Sequence, residues 1–371
     1  MSAVTGKADG RKANGRPAAT LAPPIAPVPL EHEDLVVRRG RRSDRYMAVA
    51  IHSTALGPAL GGVRLWHYSE VIGGVRDALR LARGMTYKAA VAGLDLGGGK
   101  GVVCAPRVPP DPSLRRAMLL DFGDLTESLE GRYITAEDVG MTPADLAVVA
   151  ERTAHVTGLD AERGGSGDPS PFTAMGIEAA MRACARERLG SPELRGLRVA
   201  IAGLGHVGAK LARRLADAGA ALVVSDIDAS KRAIADELGA RWVDPEHELL
   251  ADCDILAPCA LGGAIDREVI PLLRCEIICG SANNQLADDS LADELAERGI
   301  LYAPDYVVNA GGLIHVYREI RGYSEDQAVE LVLGIEATVD RVLETTGQEA
   351  ITPLAAARRL ADERLAAAVR H

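Results

Sequence analysis

The sequence predicts a two-domain α/β protein, one domain built on a doubly wound parallel sheet and the other on a separate α/β core. Three observations carry this. The chain has 371 residues, more than one simple hydrophobic core usually holds. After residues 164–171 (GGSGDPSP), short apolar runs alternate with helical patterns, which is the grammar of β-α-β units. One of the strand-to-helix joints in that region reads Gly-x-Gly-x-x-Gly.

The elements follow in order. Residues 1–30 are rich in Ala, Pro, Gly and Thr, with prolines at 23, 24, 27 and 29, so they read as a disordered leader. Lys7, Arg11, Lys12 and Arg16 resemble a transit peptide weakly, and the apolar core of a secretory signal is absent. Residues 31–165 are taken as the first domain. In it, residues 46–52 (YMAVAIH) read as a strand, and residues 75–92 and 114–129 as helices. Residues 166–339 are taken as the second domain. Here 174–188 and 209–218 read as helices, and 197–202, 221–226, 254–257 and 276–279 as strands. A long helical stretch over 325–369 closes the chain, and its part from about 340 is expected to pack back on the first domain. No internal repeat is visible.

Composition excludes several function classes. The chain is 47% hydrophobic and 25% charged, with a net charge of −10 and a pI near 5.4. An acidic balance disfavours nucleic acid as a partner. No apolar run approaches the roughly 18 residues a membrane span needs. The six cysteines form no CxxC pair and no disulfide-like framework, which fits reduced thiols in a cytoplasm. Eight histidines without ligand spacing give a metal site little support.

The first chemical motif is residues 197–208 (LRVAIAGLGHVG). Gly203, Gly205 and Gly208 allow a tight turn, close approach of a pyrophosphate and close helix packing. The helix N-terminus then stabilises phosphate charge. A second strand ends in Asp226, 18 residues past Gly208. Its carboxylate suits a ribose 2′-OH, so the motif implies NAD rather than NADP. Asp228 is the rival for that role. The alternative is a glycine-rich packing turn beside a solvated carboxylate.

The second motif is a pair of lysines. Of 42 Lys+Arg residues only six are lysine, and Lys88 and Lys100 share residues 84–101 (GMTYKAAVAGLDLGGGKG), where the other charge is Asp95. Unlike arginine, a buried lysine can titrate and act as a base. Two lysines close together disfavour double protonation, and a nearby carboxylate pushes the pKa values apart. Asp138, in residues 136–140 (AEDVG), is the candidate carboxylate. It could equally cap a helix starting near Thr142, and these residues alone do not decide.

Six blocks add a resemblance: the lysine segment, residues 57–64 (GPALGGVR), 136–140 (AEDVG), 257–263 (APCALGG), 280–285 (GSANNQ) and 302–312 (YAPDYVVNAGG). Together they resemble the glutamate/leucine/phenylalanine/valine dehydrogenase family, nearest its leucine and valine enzymes, from about residue 31 to the C-terminus. The resemblance implies a Rossmann-type NAD-binding domain, an α/β substrate and oligomerisation domain, and an active site in the cleft between them. By position, Lys88, Gly62 and Asn283 would hold the substrate α-carboxylate. Lys100 would activate water as general base, Asp138 would relay protons to and from the amino group, and Asn309 would floor the cleft. Thr173, Gly203, Leu204, Gly205, His206, Val207, Gly208, Asp226, Ala260, Leu261 and Asn283 would line NAD. The resemblance also implies a homo-oligomer.

The implied reaction is NAD-dependent oxidative deamination of an L-amino acid to a 2-oxo acid and ammonia. Glutamate-specific members carry Lys where this chain has Leu60 and Ser where it has Val316. A substrate carboxylate left unpaired against these two would cost on the order of several kcal/mol. Ala136 and Leu313 complete an aliphatic pocket that leans toward valine or leucine. Leu313 stands where Val is usual in leucine enzymes, and Met141 where Thr is common. The alternatives are a phenylalanine dehydrogenase and a catalytically silent NAD-binding protein. The silent protein predicts loss of Lys100 or Asp138, and both are present.

Overall fold

The computed structural model describes residues 30–159, 162 and 165–369; the leader expected over 1–30 lies, but for residue 30, outside them. Strands β1 (Asp34–Arg39), β2 (Tyr46–Ser53) and β3 (Ala59–His67) lead into α1 (Val71–Val91). Then come β4 (Gly97–Ala105), α2 (Pro112–Glu127), β5 (Tyr133–Glu137) and α3 (Pro143–Val149). The five strands form one mixed sheet in the order β1-β2-β4-β3-β5. β1, β2 and β4 run antiparallel in turn, and β3 lies parallel between β4 and β5. α1 buries Val75, Ala78, Leu79, Ala82 and Thr86, a spacing that lays one helix face on the sheet.

The second half opens with α4 (Ser170–Leu189), β6 (Arg198–Ala202), α5 (His206–Asp217), β7 (Ala221–Ser225), α6 (Arg232–Leu238) and β8 (Arg241–Trp242). It continues through β9 (Ile255–Pro258), β10 (Ile277–Ile278), α7 (Leu291–Glu297) and β11 (Leu301–Tyr302). All six strands are parallel, in the order β11-β10-β9-β6-β7-β8. The order reverses beside β6, so the crevice at the carboxyl ends of β6 and β9 is the place where such sheets take a ligand. The predicted doubly wound architecture is therefore present, beside a separate α/β half.

The closing segment differs from the expected unbroken helical run. After α8 (Asp305–Val308) and α9 (Gly311–Arg321), it forms α10 (Glu325–Leu333), α11 (Ile335–Glu349) and α12 (Pro353–Val369). Gly334 and Pro353 sit at the joints, and Ala350 adopts φ +54°. Proline cannot continue a helix and an αL residue ends one. α12 packs on α1 and α11. Its Arg364 donates to the carbonyls of Ala89, Ala90 and Leu94 and pairs with Asp95. Arg364 thereby adds a second donor to the Ala89 and Ala90 carbonyls, which also accept the Leu94 and Gly93 N–H groups, and so ties α12 to the end of the helix whose final turn carries Lys88. Among the described residues, no helix is long and apolar enough to cross a membrane, and no group of three His, Cys, Asp or Glu could hold a metal ion.

Candidate active site

Each half contributes one wall. In the first, β4 carries Lys100 and β3 carries Leu60, Gly62 and Arg64 on one face, since alternate strand residues share a side. Asp138 follows the end of β5. Its Oδ2 lies 2.9 Å from Lys100 Nζ and accepts a hydrogen bond from Arg64 Nε at 3.0 Å. Gly62 makes this approach possible, because a Cβ there would meet Asp138 Cβ at 2.8 Å and collide with the Glu137 carbonyl. The helix cap considered for Asp138 is filled otherwise. Thr142 caps α3 in a reciprocal box with Asp145.

Lys88 leaves the last turn of α1 and reaches the other half. Its Nζ donates to Asn309 Oδ1 at 2.7 Å, and Asn309 Nδ2 donates to Asn283 Oδ1 at 2.9 Å and to the Ser281 carbonyl. One chain of polar groups thus joins Lys88, Asn309 and Asn283. Asp305, buried beneath it, accepts the backbone N–H of Gln285 at 3.0 Å.

The charges behave as an enclosed lysine pair should. Burial lowers the Lys88 ammonium to about 8; Lys100 adds to the fall and Asp305 opposes it. Burial also lowers Lys100, against the pull of Asp138. Burial pushes the Asp138 carboxyl up, but Lys100 and Arg64 outweigh it and hold it below the ordinary carboxylate value. Burial raises Asp305, with Lys88 and three backbone N–H groups opposing. The site therefore holds two amines that burial makes easier to deprotonate, beside a carboxylate kept ionised by its cations.

The apolar candidates fall in the buried core. Leu60, 1% exposed, and Leu313 belong to one contiguous buried cluster, with Val316, Met85 and Ile134 packed against it. Ala136 sits opposite Gly62 in the β3–β5 register, and Ile134 opposite Leu60.

On the second wall, Gly203 follows β6 with φ +102°, a conformation open to glycine, and a Cβ there would lie 2.8 Å from that of Ala260. Leu204 and Gly205 complete the turn, His206 and Val207 open α5, and Gly208 sits against the Gly203 carbonyl. Gly205 has nothing within 4 Å of its Cβ position, which leaves the room a pyrophosphate needs. Thr173, in the first turn of α4, donates to the Pro169 carbonyl and lies beside Gly312.

Asp226 follows β7, and its two oxygens accept the N–H groups of Leu204 and Asp228 at 2.7 and 2.8 Å. The rival Asp228 turns away to accept the Ser230 N–H. A depression of about 220 Å³ lies between Asp226, Ile227, Glu248, Ala260 and Leu261. Ile227 and Leu261, which line it, are 92% and 80% exposed. An open glycine turn, a helix N-terminus, an apolar slot and a carboxylate fit a dinucleotide.

Reading the residues alone missed Arg64, Asp305, Glu248 and Met85. Lysine scarcity singles out Lys88 and Lys100 but says nothing about one arginine among many. Asp305 is separated from Asn309 by one helical turn, a spacing that carries no signal without the fold.

Both halves match known proteins. Residues 41–155 match the family described as Glu/Leu/Phe/Val dehydrogenase, dimerisation domain, and residues 224–371 match Glutamate/Leucine/Phenylalanine/Valine dehydrogenase. Residues 175–262 also match the D-isomer specific 2-hydroxyacid dehydrogenase, NAD binding domain. The chain is 46% identical to leucine dehydrogenase of Bacillus subtilis, over 90% of this chain and 92% of that one. It is 44% identical to valine dehydrogenase of Streptomyces virginiae, over 90% and 94%. The crystal structure of L-tryptophan dehydrogenase from Nostoc punctiforme superposes with a TM-score of 0.81 at 39% identity, covering 92% of this chain and 98% of that one. Likeness of this depth spans both sheets, and the chain belongs to the glutamate/leucine/phenylalanine/valine dehydrogenase family.

Proposed function

We propose that this protein oxidatively deaminates a branched-chain L-amino acid to its 2-oxo acid and ammonia, using NAD. The observation that carries the reading is the enclosed Lys100–Asp138 pair, 2.9 Å apart, beside a second titratable lysine that spans the cleft. Lys88, helped by Gly62 and Asn283, clamps the α-carboxylate, and that anion restores the charge burial has weakened. The clamp orients Cα, and Asn309 holds Lys88 and Asn283 in register. A bound nicotinamide would supply the hydride acceptor for Cα. Asp138 takes a proton from the substrate ammonium; Lys100 removes a proton from the water that attacks the iminium carbon; Asp138 then returns its proton to the departing nitrogen, and the carbinolamine hydroxyl loses its proton to the released ammonia as the carbonyl forms. Leu60, Ala136, Leu313 and Val316 receive the side chain, with Met85 and Ile134 as further walls.

Thr173, the turn from Gly203 to Gly208, Asp226, Ala260, Leu261 and Asn283 would hold the cofactor. Asp226 would accept hydrogen bonds from the ribose and repel a 2′-phosphate. Glu248 adds a second acid to the same depression. Asp226→Ala is expected to narrow the preference for NAD over NADP by roughly tenfold or more in kcat/KM, since removing a close like charge is worth about 1–2 kcal/mol. A wild type that favours NADP would overturn this assignment.

Domain limits at 31–165 and 166–339, with the last helices returned to the first domain, suit this cleft, and α12 on α1 supports the return. The enzyme is proposed to be a cytoplasmic homo-oligomer. The test of the reading is NADH formation with a panel of L-amino acids. Valine and leucine are expected to rank above phenylalanine and tryptophan, with glutamate near background. No reduction with any of them would sink it.

A further inference from the structure

We propose that Arg64 is a positioning residue of this reaction: its guanidinium fixes Asp138 by Oδ2 so that Oδ1 meets the reacting nitrogen. The inference rests on Asp138 being the proton carrier proposed above. The geometry is that of a braced fork. Arg64 Nε donates to Asp138 Oδ2 at 3.0 Å while Nη1 donates to Asp77 Oδ2 at 2.8 Å. Asp77 is held in turn by the Tyr68 hydroxyl at 2.7 Å and by Arg80 Nη2 at 2.8 Å. Arg64 and Asp77 side chains are both mostly buried. A planar guanidinium bonded to two carboxylates through different nitrogens cannot rotate without losing one, and an ammonium cannot reproduce the fork.

Both cations on Asp138 engage the same oxygen, and among the described residues no donor reaches Oδ1. A proton delivered to Asp138 therefore arrives at Oδ1. Arg64 also does what Lys100 cannot. Lys100 must be neutral when it acts as base, and its hold on Asp138 then weakens. The charge on arginine is permanent, so Arg64 keeps Asp138 in place through that step. The groups facing Asp138 are Lys100 from β4, Arg64 from β3 with Asp77 of α1 behind it, and Tyr133 of β5. Of these, Lys100 and Arg64 hold its carboxyl low.

The test compares kcat–pH profiles of wild type, Arg64→Gln, Arg64→Lys and Asp138→Asn. In Arg64→Gln, kcat is expected to fall roughly 10- to 100-fold with KM for NAD little changed. Its acid limb is expected to move up by about half a pH unit or more, because Asp138 now protonates more easily. Arg64→Lys is expected to return the limb toward wild type while kcat stays low, since it supplies the charge without the fork. An unmoved limb in Arg64→Gln, or full kcat in Arg64→Lys, overturns the proposal. Should Arg64→Gln fail to bind NAD as a folded protein, the Arg64→Lys result decides alone. Turnover in Asp138→Asn would sink the role of Asp138 itself, whereas a dead Asp138→Asn beside an unmoved Arg64→Gln limb sinks Arg64 only.

Discussion

Lys100→Ala is expected to lose roughly 100- to 10,000-fold in turnover, the range for a positioned general base, while NAD binding stays near wild type. Lys100 is 5% exposed and lies on β4 of the first half; no part of the glycine turn rests on it. Lys88→Ala is expected to behave differently. It removes a charged hydrogen-bond donor from the carboxylate, about 1.5–3 kcal/mol, which is roughly 10- to 100-fold in KM for the amino acid, with a smaller fall in kcat from misorientation. Steady-state kinetics with NAD titration separate the two. A Lys100→Ala enzyme that keeps a tenth of wild-type turnover, or a Lys88→Ala enzyme with unchanged KM, would remove that residue from its role.

Leu60→Lys combined with Val316→Ser is expected to raise the glutamate-to-leucine ratio of kcat/KM by on the order of 100-fold, about 2.7 kcal/mol. Leu60 sits on β3 two residues before Gly62 and is 1% exposed within the apolar cluster. A substrate carboxylate placed there meets no cation and stays unpaired. The double variant supplies an ammonium and a hydroxyl. An uncompensated buried lysine also destabilises the fold, so its Tm is expected to drop in the absence of glutamate and recover in its presence. Wild-type activity on glutamate equal to that on leucine would defeat the argument. So would a double variant whose ratio does not change.

How much of this was legible depends on the kind of strand. The buried runs at β6, β7 and β9 are apolar and set between helices, so their pattern declares them. β4 begins Gly-Gly-Gly-Lys-Gly, a composition that disfavours a strand by propensity. It is a strand because β2 and β3 pair with it on both sides. β3 and β5 were hidden in the same way, as pieces of motifs rather than as periodic runs. The closing helices are legible as helical, but Gly334 and Pro353 divide the run into separate helices, since glycine weakens a helix interior and proline cannot continue one.

By itself the sequence determined the local chemistry: the glycine turn, the carboxylate ending the next strand, the two lysines in a stretch nearly without charge, and the blocks that mark the family. These are short-range features, fixed by backbone sterics and by residue type within a few positions. Only the tertiary structure decided which groups meet. Lys88 bonds Asn309 across 221 residues, Arg64 reaches Asp138 across 74, and Asp305 lies under Lys88. Such pairings are set by sheet order and by the docking of one half on the other, which a linear chain does not encode in its spacing. The same holds for charge. That both lysines fall, and that Asp138 stays low while Asp305 rises, follows from how much water each has lost and which charges surround it, and both are properties of the folded protein.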